Sequence, residues 1–103
     1  MVEKLIRDGQ VAVMISPGFG AGWSTWSHDH EEEMLFDREM AQAVIEERWD
    51  DVESRAKSFG DYVYTGGIDG LRVEWVPVGQ RFRVDEYDGS ERLQMTDDRI
   101  HTA

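Results

Sequence analysis

A chain of 103 residues has room for one domain with a modest core. Its 40% hydrophobic content is enough to fold it, so the excess of 22 acidic over 11 basic residues, a net charge of −11, belongs to the surface of a folded body. Such a surface disfavours direct nucleic-acid and membrane binding and favours a partner with a basic surface, while the absence of Cys excludes disulfides, a thiolate nucleophile and a Cys-based zinc site and suits a reducing, cytoplasmic setting.

The N-terminal residues Met1-Val2-Glu3-Lys4-Leu5-Ile6-Arg7-Asp8 offer no stretch for a signal peptide, and no span approaches the roughly 20 apolar residues of a membrane helix. Val11-Ala12-Val13-Met14-Ile15 is a short β-branched run closed by Pro17-Gly18, which predicts a central strand buried on both faces. Three alternating glycines follow, Gly18, Gly20 and Gly22, interleaved with Phe19 and leading into Trp23 and Trp26. Alternating glycine permits left-handed backbone or close approach of another surface. Large aromatics beside it either pin the loop to the core or form a contact or ligand surface, and the sequence leaves both readings open.

Residues 27–33 are polar, and Met34-Leu35-Phe36 forms an apolar clamp before Asp37, a predicted helix N-cap. From Arg38 the apolar residues Met40, Ala41, Val44, Ile45, Trp49, Val52, Ala56 and Phe59 recur at helical spacing up to Gly60, a predicted left-handed stop. Asp50 and Glu53 resemble a capping box, so the helix is expected as one long segment or as two that break near Trp49.

Tyr62-Val63-Tyr64-Thr65 suggests an added strand or an extended connection. Residues 71–76, 81–87 and 90–95 then alternate with period two. Folding about Asp88-Gly89 pairs Phe82 with Met95, Val84 with Leu93 and Asp85 with Arg92, leaving only Glu86 opposite Glu91 as an unfavourable pair. Folding about Val78-Gly79 pairs Trp75 with Phe82, Val73 with Val84, Glu74 with Arg83 and Arg72 with Asp85. The expected fold is α+β: one domain over residues 1–103 in which a three-stranded antiparallel meander, joined by the N-terminal strand, is covered on one face by the amphipathic helices. Trp75, Phe82, Val84 and Leu93 would form the core beneath them. Residues 97–103 are expected to be a frayed tail.

For chemistry, the glycine loop follows a strand as a phosphate cradle does, but Trp23-Ser24 stands where a Walker loop needs Lys-Ser/Thr, and the spacing misses the dinucleotide fingerprint. His28, His30 and the neighbouring carboxylates hold metal-ligand residue types without a convincing distant ligand, since His101 lies in the expected tail. No metal or cofactor is called for. Neither is catalysis, because Ser24, Thr25 and Ser27 have no evident base. The remaining constellation is acidic: Glu31, Glu32, Glu33, Glu39, Glu46, Glu47, Asp50 and Glu53 form the candidate interaction surface.

The segment from Val11 to Trp26, together with Val73-Glu74-Trp75-Val76-Pro77 and the run from Phe82 to Glu91, resembles a family of small uncharacterised acidic proteins encoded by tailed bacteriophages. The resemblance implies context rather than chemistry: an accessory protein in the host cytoplasm that binds and inhibits or redirects a host protein with a basic surface, such as a defence-system component. A protein that sequesters a nucleotide-like ligand through Gly18, Phe19, Gly20, Gly22, Trp23 and Trp26, with homo-oligomerisation left open, and a minor virion or assembly component are the alternatives.

Overall fold

Two Asp-Gly turns fix the strand ends in the computed structural model, which describes residues 2–103 apart from 19–21, 28, 61–62, 67 and 97–100. Asp8 (φ 53°) and Gly9 (φ 77°) are both left-handed, as a type I′ turn requires, and they join β1 (Ile6–Arg7) to β2 (Gln10–Ile15). Asp88 (φ 52°) and Gly89 (φ 87°) do the same between β4 (Arg81–Tyr87) and β5 (Ser90–Met95). There the predicted register holds: Phe82 faces Met95, Val84 faces Leu93 and Asp85 faces Arg92.

The fold is α+β, with two three-stranded antiparallel sheets rather than one meander. The first has the order β1-β2-β3, where β3 is Arg72–Pro77; the second has the order β5-β4-β6, where β6 is His101–Thr102. The predicted pairing of β3 with β4 does not form. Trp75 pairs with Ala12 and Val73 with Met14, while β4 takes β6 on its other edge, Phe82 opposite His101. The turn between β3 and β4 is pulled away from hairpin geometry, since Val78 N–H donates to Gly9 O and Gly79 N–H to Ala103 O. The charge alternation that suggested cross-strand pairs is met along each strand instead, Arg72 with Glu74 and Arg83 with Asp85.

Residues 101–103 are therefore no frayed tail: β6 completes a sheet and Ala103 is buried, while residues 97–100 lie outside the described residues. The expected central strand is borne out. Every residue from Val11 to Ile15 is fully buried in β2, and its two faces serve two cores. Ala12 and Met14 pack with Met40, Ala41, Val44, Val52 and Ala56 of the helices; Val11, Val13 and Ile15 pack with Leu35, Phe36, Val76, Phe82 and Ala103. Hence only Trp75 of the expected core quartet lies beneath the helical segments that follow Arg38, while Phe82 meets Phe36 edge-on from the preceding helical turn. Phe82, Val84 and Leu93 fill the opposite side of β2.

The helices are α1 (Glu31–Phe36), α2 (Arg38–Ile45) and α3 (Trp49–Lys57). The polar segment before Asp37 is thus already helical from Glu31. Asp37 caps α2 as predicted, accepting from Met40 N–H at 2.9 Å, and the same buried carboxylate receives Arg55 from α3 through Nε and Nη2, both at 3.0 Å. That fork holds the Arg55 guanidinium above its ordinary pKa, with Asp37 the chief cause. The break near Trp49 is real, but Asp50 is no cap: Arg48 holds the N-cap position of α3. At the far end, α3 stops at Lys57 and Gly60 follows with φ 151°. Val63, Tyr64 and Thr65 form no strand, and Tyr62 lies outside the described residues.

Candidate functional site

The loop after β2 is built around a side chain from the other sheet. Glu91, 1% exposed on β5, accepts from Ser16 N–H at 3.1 Å through Oε1, and through Oε2 from Trp23 N–H at 2.7 Å, Thr25 N–H at 3.1 Å and Thr25 Oγ1–H at 2.5 Å. Its own N–H donates to Ser16 O at 2.9 Å, and Ser90 Oγ–H donates to Pro17 O at 2.7 Å. Glu86, directly opposite in the ladder, turns its carboxylate to Gly89 N–H at 2.8 Å. The like charges that looked unfavourable in sequence therefore go to different donors.

The tryptophans of this loop are not a shared contact surface. Trp23 is fully buried, donates Nε1–H to Met34 O at 2.6 Å and belongs to the helix-side core. Trp26 is half-buried and meets Tyr64 edge-on at 4.8 Å between ring centroids, while Ser27 Oγ bridges Trp23 O and Tyr64 N–H. Gly22 is glycine because of this packing and not because of a left-handed φ: a Cβ there would lie 2.4 Å from the Trp26 ring. Gly18 is exposed with open space around it, and Phe19 and Gly20 lie outside the described residues.

Much of the candidate acidic surface is engaged within the chain. Glu32 meets His101 Nδ1 at 2.8 Å, Glu33 lies 4.0 Å from His30, Glu39 reaches Arg55 at 3.3 Å, and Glu53 reaches Lys57 at 3.5 Å. Glu46 accepts from Gln42 and Arg48, which together hold its carboxyl below its ordinary pKa, Gln42 contributing most. Glu31, Glu47 and Asp50 are exposed and have no side-chain partner among the described residues.

Glu47 stands apart for a backbone reason. Glu46 is the C-cap of α2; Glu47 N–H donates to Val44 O and Arg48 N–H to Ala43 O, the two bonds of a Schellman motif. The residue after the cap must then be left-handed, and Glu47 has φ 57° where glycine or asparagine is the usual occupant. With it, Val44, Ile45, Trp49, Leu71, Val73 and Trp75 line an open groove of about 450 Å³ between the helix turn and β3, which Arg72, paired with Glu74, also borders. Two further depressions meet at half-buried Trp49, one carrying Glu47, Asp50 and Asp51, the other Asp50 and Glu53. β3 has β2 as its single partner strand among the described residues, so its outer edge borders this region.

His28 lies outside the described residues and His30 precedes α1. His101, expected in a loose tail, is packed between Phe36 and Phe82 and tied to Glu32. Among the described residues no group of three His, Asp or Glu side chains could hold a metal ion, and no helix is long and apolar enough to cross a membrane. Comparison with protein-family models, with curated proteins and with solved structures finds no match to this chain.

Sequence reasoning named Glu47 and Asp50 within a larger acidic set, but it missed the role of Glu91. The like-charge pairing with Glu86 was the sole local sign that this carboxylate goes elsewhere.

Proposed function

We propose that this chain is a non-catalytic binding protein that docks a basic segment of a partner protein beside Trp49, with Glu47 and Asp50 as its charged anchors. Glu47 carries the reading. It is held in a left-handed conformation against its own backbone preference, its carboxylate has no hydrogen bond or ion pair among the described residues to offset that strain, and it lines a groove of mixed polar and apolar character. An external contact accounts for its presence where glycine would serve the helix end better. Trp49 adds a half-buried aromatic anchor of the kind that dominates protein interfaces, and the acidic rim selects Lys or Arg next to an apolar side chain.

Several other polar groups are committed to the fold, which supports binding over catalysis: Glu91 holds the loop, Asp37 holds Arg55, and Glu32 meets His101. The loop reading as a ligand pocket is weakened by the full burial of Trp23. The resemblance to small acidic phage proteins supplies the setting, an accessory protein that inhibits or redirects a host protein, with neither nucleic acid nor membrane as its direct target.

The test is affinity capture from a bacterial host lysate with the wild-type chain, Trp49→Ala and the pair Glu47→Lys/Asp50→Lys, all matched for folding by circular dichroism. A basic protein retained by the wild type and lost by both variants supports the reading. Equal retention by all three places the interface elsewhere.

A further inference from the structure

Four donors converge on the Glu91 carboxylate, which has no ion pair among the described residues: the N–H groups of Ser16, Trp23 and Thr25 and the Thr25 hydroxyl. Main-chain N–H groups gathered on one point are the chemistry that backbone nests use to hold free anions. The strand-and-glycine pattern that reads as a phosphate cradle is thus an anion cradle already filled from within. The geometry points to a carboxylate-binding site in the loop after β2, occupied in cis by Glu91, that accepts a small free carboxylate once the Glu91 side chain is removed. This inference is independent of the partner surface at Trp49.

The donor arrangement selects the anion. Three donors meet one oxygen and a fourth meets the other, so a planar two-oxygen group satisfies the site. A tetrahedral phosphate would bring further charged oxygens into a closed site whose four donors already serve the two carboxylate oxygens. An amide fails for a different reason, because its NH2 group would face an N–H donor whichever way it is turned.

The cradle also couples two sheets. Glu91 N–H and Ser90 Oγ–H hold Ser16 O and Pro17 O, so the edge strand β5 and the loop leaving β2 are joined by backbone and side chain together. Freeing the loop and lifting this end of β5 become one event. Truncation of Glu91 removes the carboxylate contacts, keeps the Glu91 N–H and Ser90 Oγ–H bonds to the loop, and leaves a vacant site the size of a short carboxylic acid.

The experiment is thermal unfolding of Glu91→Ala at neutral pH in sodium formate, acetate, phosphate and chloride at equal ionic strength. Glu91→Ala should melt below the wild type. Formate or acetate at ten times its dissociation constant should raise the variant's midpoint by about 6–7 °C over chloride, while the wild type melts alike in formate and chloride. A folded variant that responds alike to formate, acetate and chloride overturns the proposal, and a response to phosphate alone overturns the assignment to carboxylate. Should Glu91→Ala fail to fold, amide hydrogen exchange of the wild-type chain decides. The N–H groups of Ser16, Trp23, Thr25 and Glu91 should share one protection factor as a single opening unit, and unrelated protection factors overturn the cradle as a site.

Discussion

Trp23 N–H donates to Glu91 Oε2 at 2.7 Å, joining residues 68 positions apart. The loop after β2 consequently owes its shape to a strand that enters the sequence much later. Glu91→Gln preserves size but sets an NH2 group against a main-chain donor. Denaturant melts should show a loss of about 2–4 kcal/mol, since buried hydrogen bonds to a charged group are broken and a donor is left unmatched. Glu86→Gln, at the exposed position directly opposite in the ladder, should stay within about 0.5 kcal/mol. Equal effects of the two would mean that the cradle does not hold the loop.

Gly18 and Gly22 should behave differently. Gly22→Ala puts a Cβ into the Trp26 ring and must displace that ring from Tyr64, so it should cost about 1–3 kcal/mol, as overpacking does. Gly18→Ala meets nothing within 4 Å and should be nearly silent. Near-UV circular dichroism separates the outcomes, because only Gly22→Ala should alter the aromatic signal. A silent Gly22→Ala would contradict the packing described.

Phe82 and Trp75 lie in different cores, on opposite sides of β2. Phe82 is fully buried, and Phe82→Ala should cost about 3–5 kcal/mol in denaturant melts. Trp75 is half-buried, with Arg7 over its ring at 5.6 Å, and Trp75→Ala should cost less. The double mutant should be additive to within about 0.5 kcal/mol, as expected for residues that share no partner. Strong coupling would restore the direct cross-strand pair that sequence alternation predicts.

That alternation shows where sequence reading succeeds and where it stops. The β4–β5 register was legible because Asp88-Gly89 dictates a two-residue turn and one register alone keeps Val84 and Leu93 on the same face. Val78-Gly79 offered the same arithmetic for β3 and β4, yet the fully buried faces of β2 compete for β3, and the C-terminal strand takes the vacant edge of β4. Asp8-Gly9 carries the same turn chemistry as Asp88-Gly89, but two-residue β1 is too short for alternation to announce it. Of the candidate site, the acid excess was legible and the strain at Glu47 was not, since a helix end without glycine or asparagine gives no local sign of its left-handed residue.

Glu47→Gly separates stability from recognition. Removing the side chain relieves the left-handed strain, so the variant should gain about 1 kcal/mol in denaturant melts. It should at the same time bind the basic partner more weakly, because one anchor is gone. A variant that is neither more stable nor weaker in binding would show that Glu47 is an ordinary surface residue.

The most direct measurement is stopped-flow association with the captured basic partner across a salt series, comparing the wild type with Glu47→Lys/Asp50→Lys. Glu46 is left unchanged because it holds Gln42 and Arg48 at the helix end. The wild-type on-rate should fall steeply with ionic strength, and the charge-reversed pair should start lower and show a flatter dependence at unchanged stability. Identical on-rates and identical salt slopes for the two proteins would contradict the account.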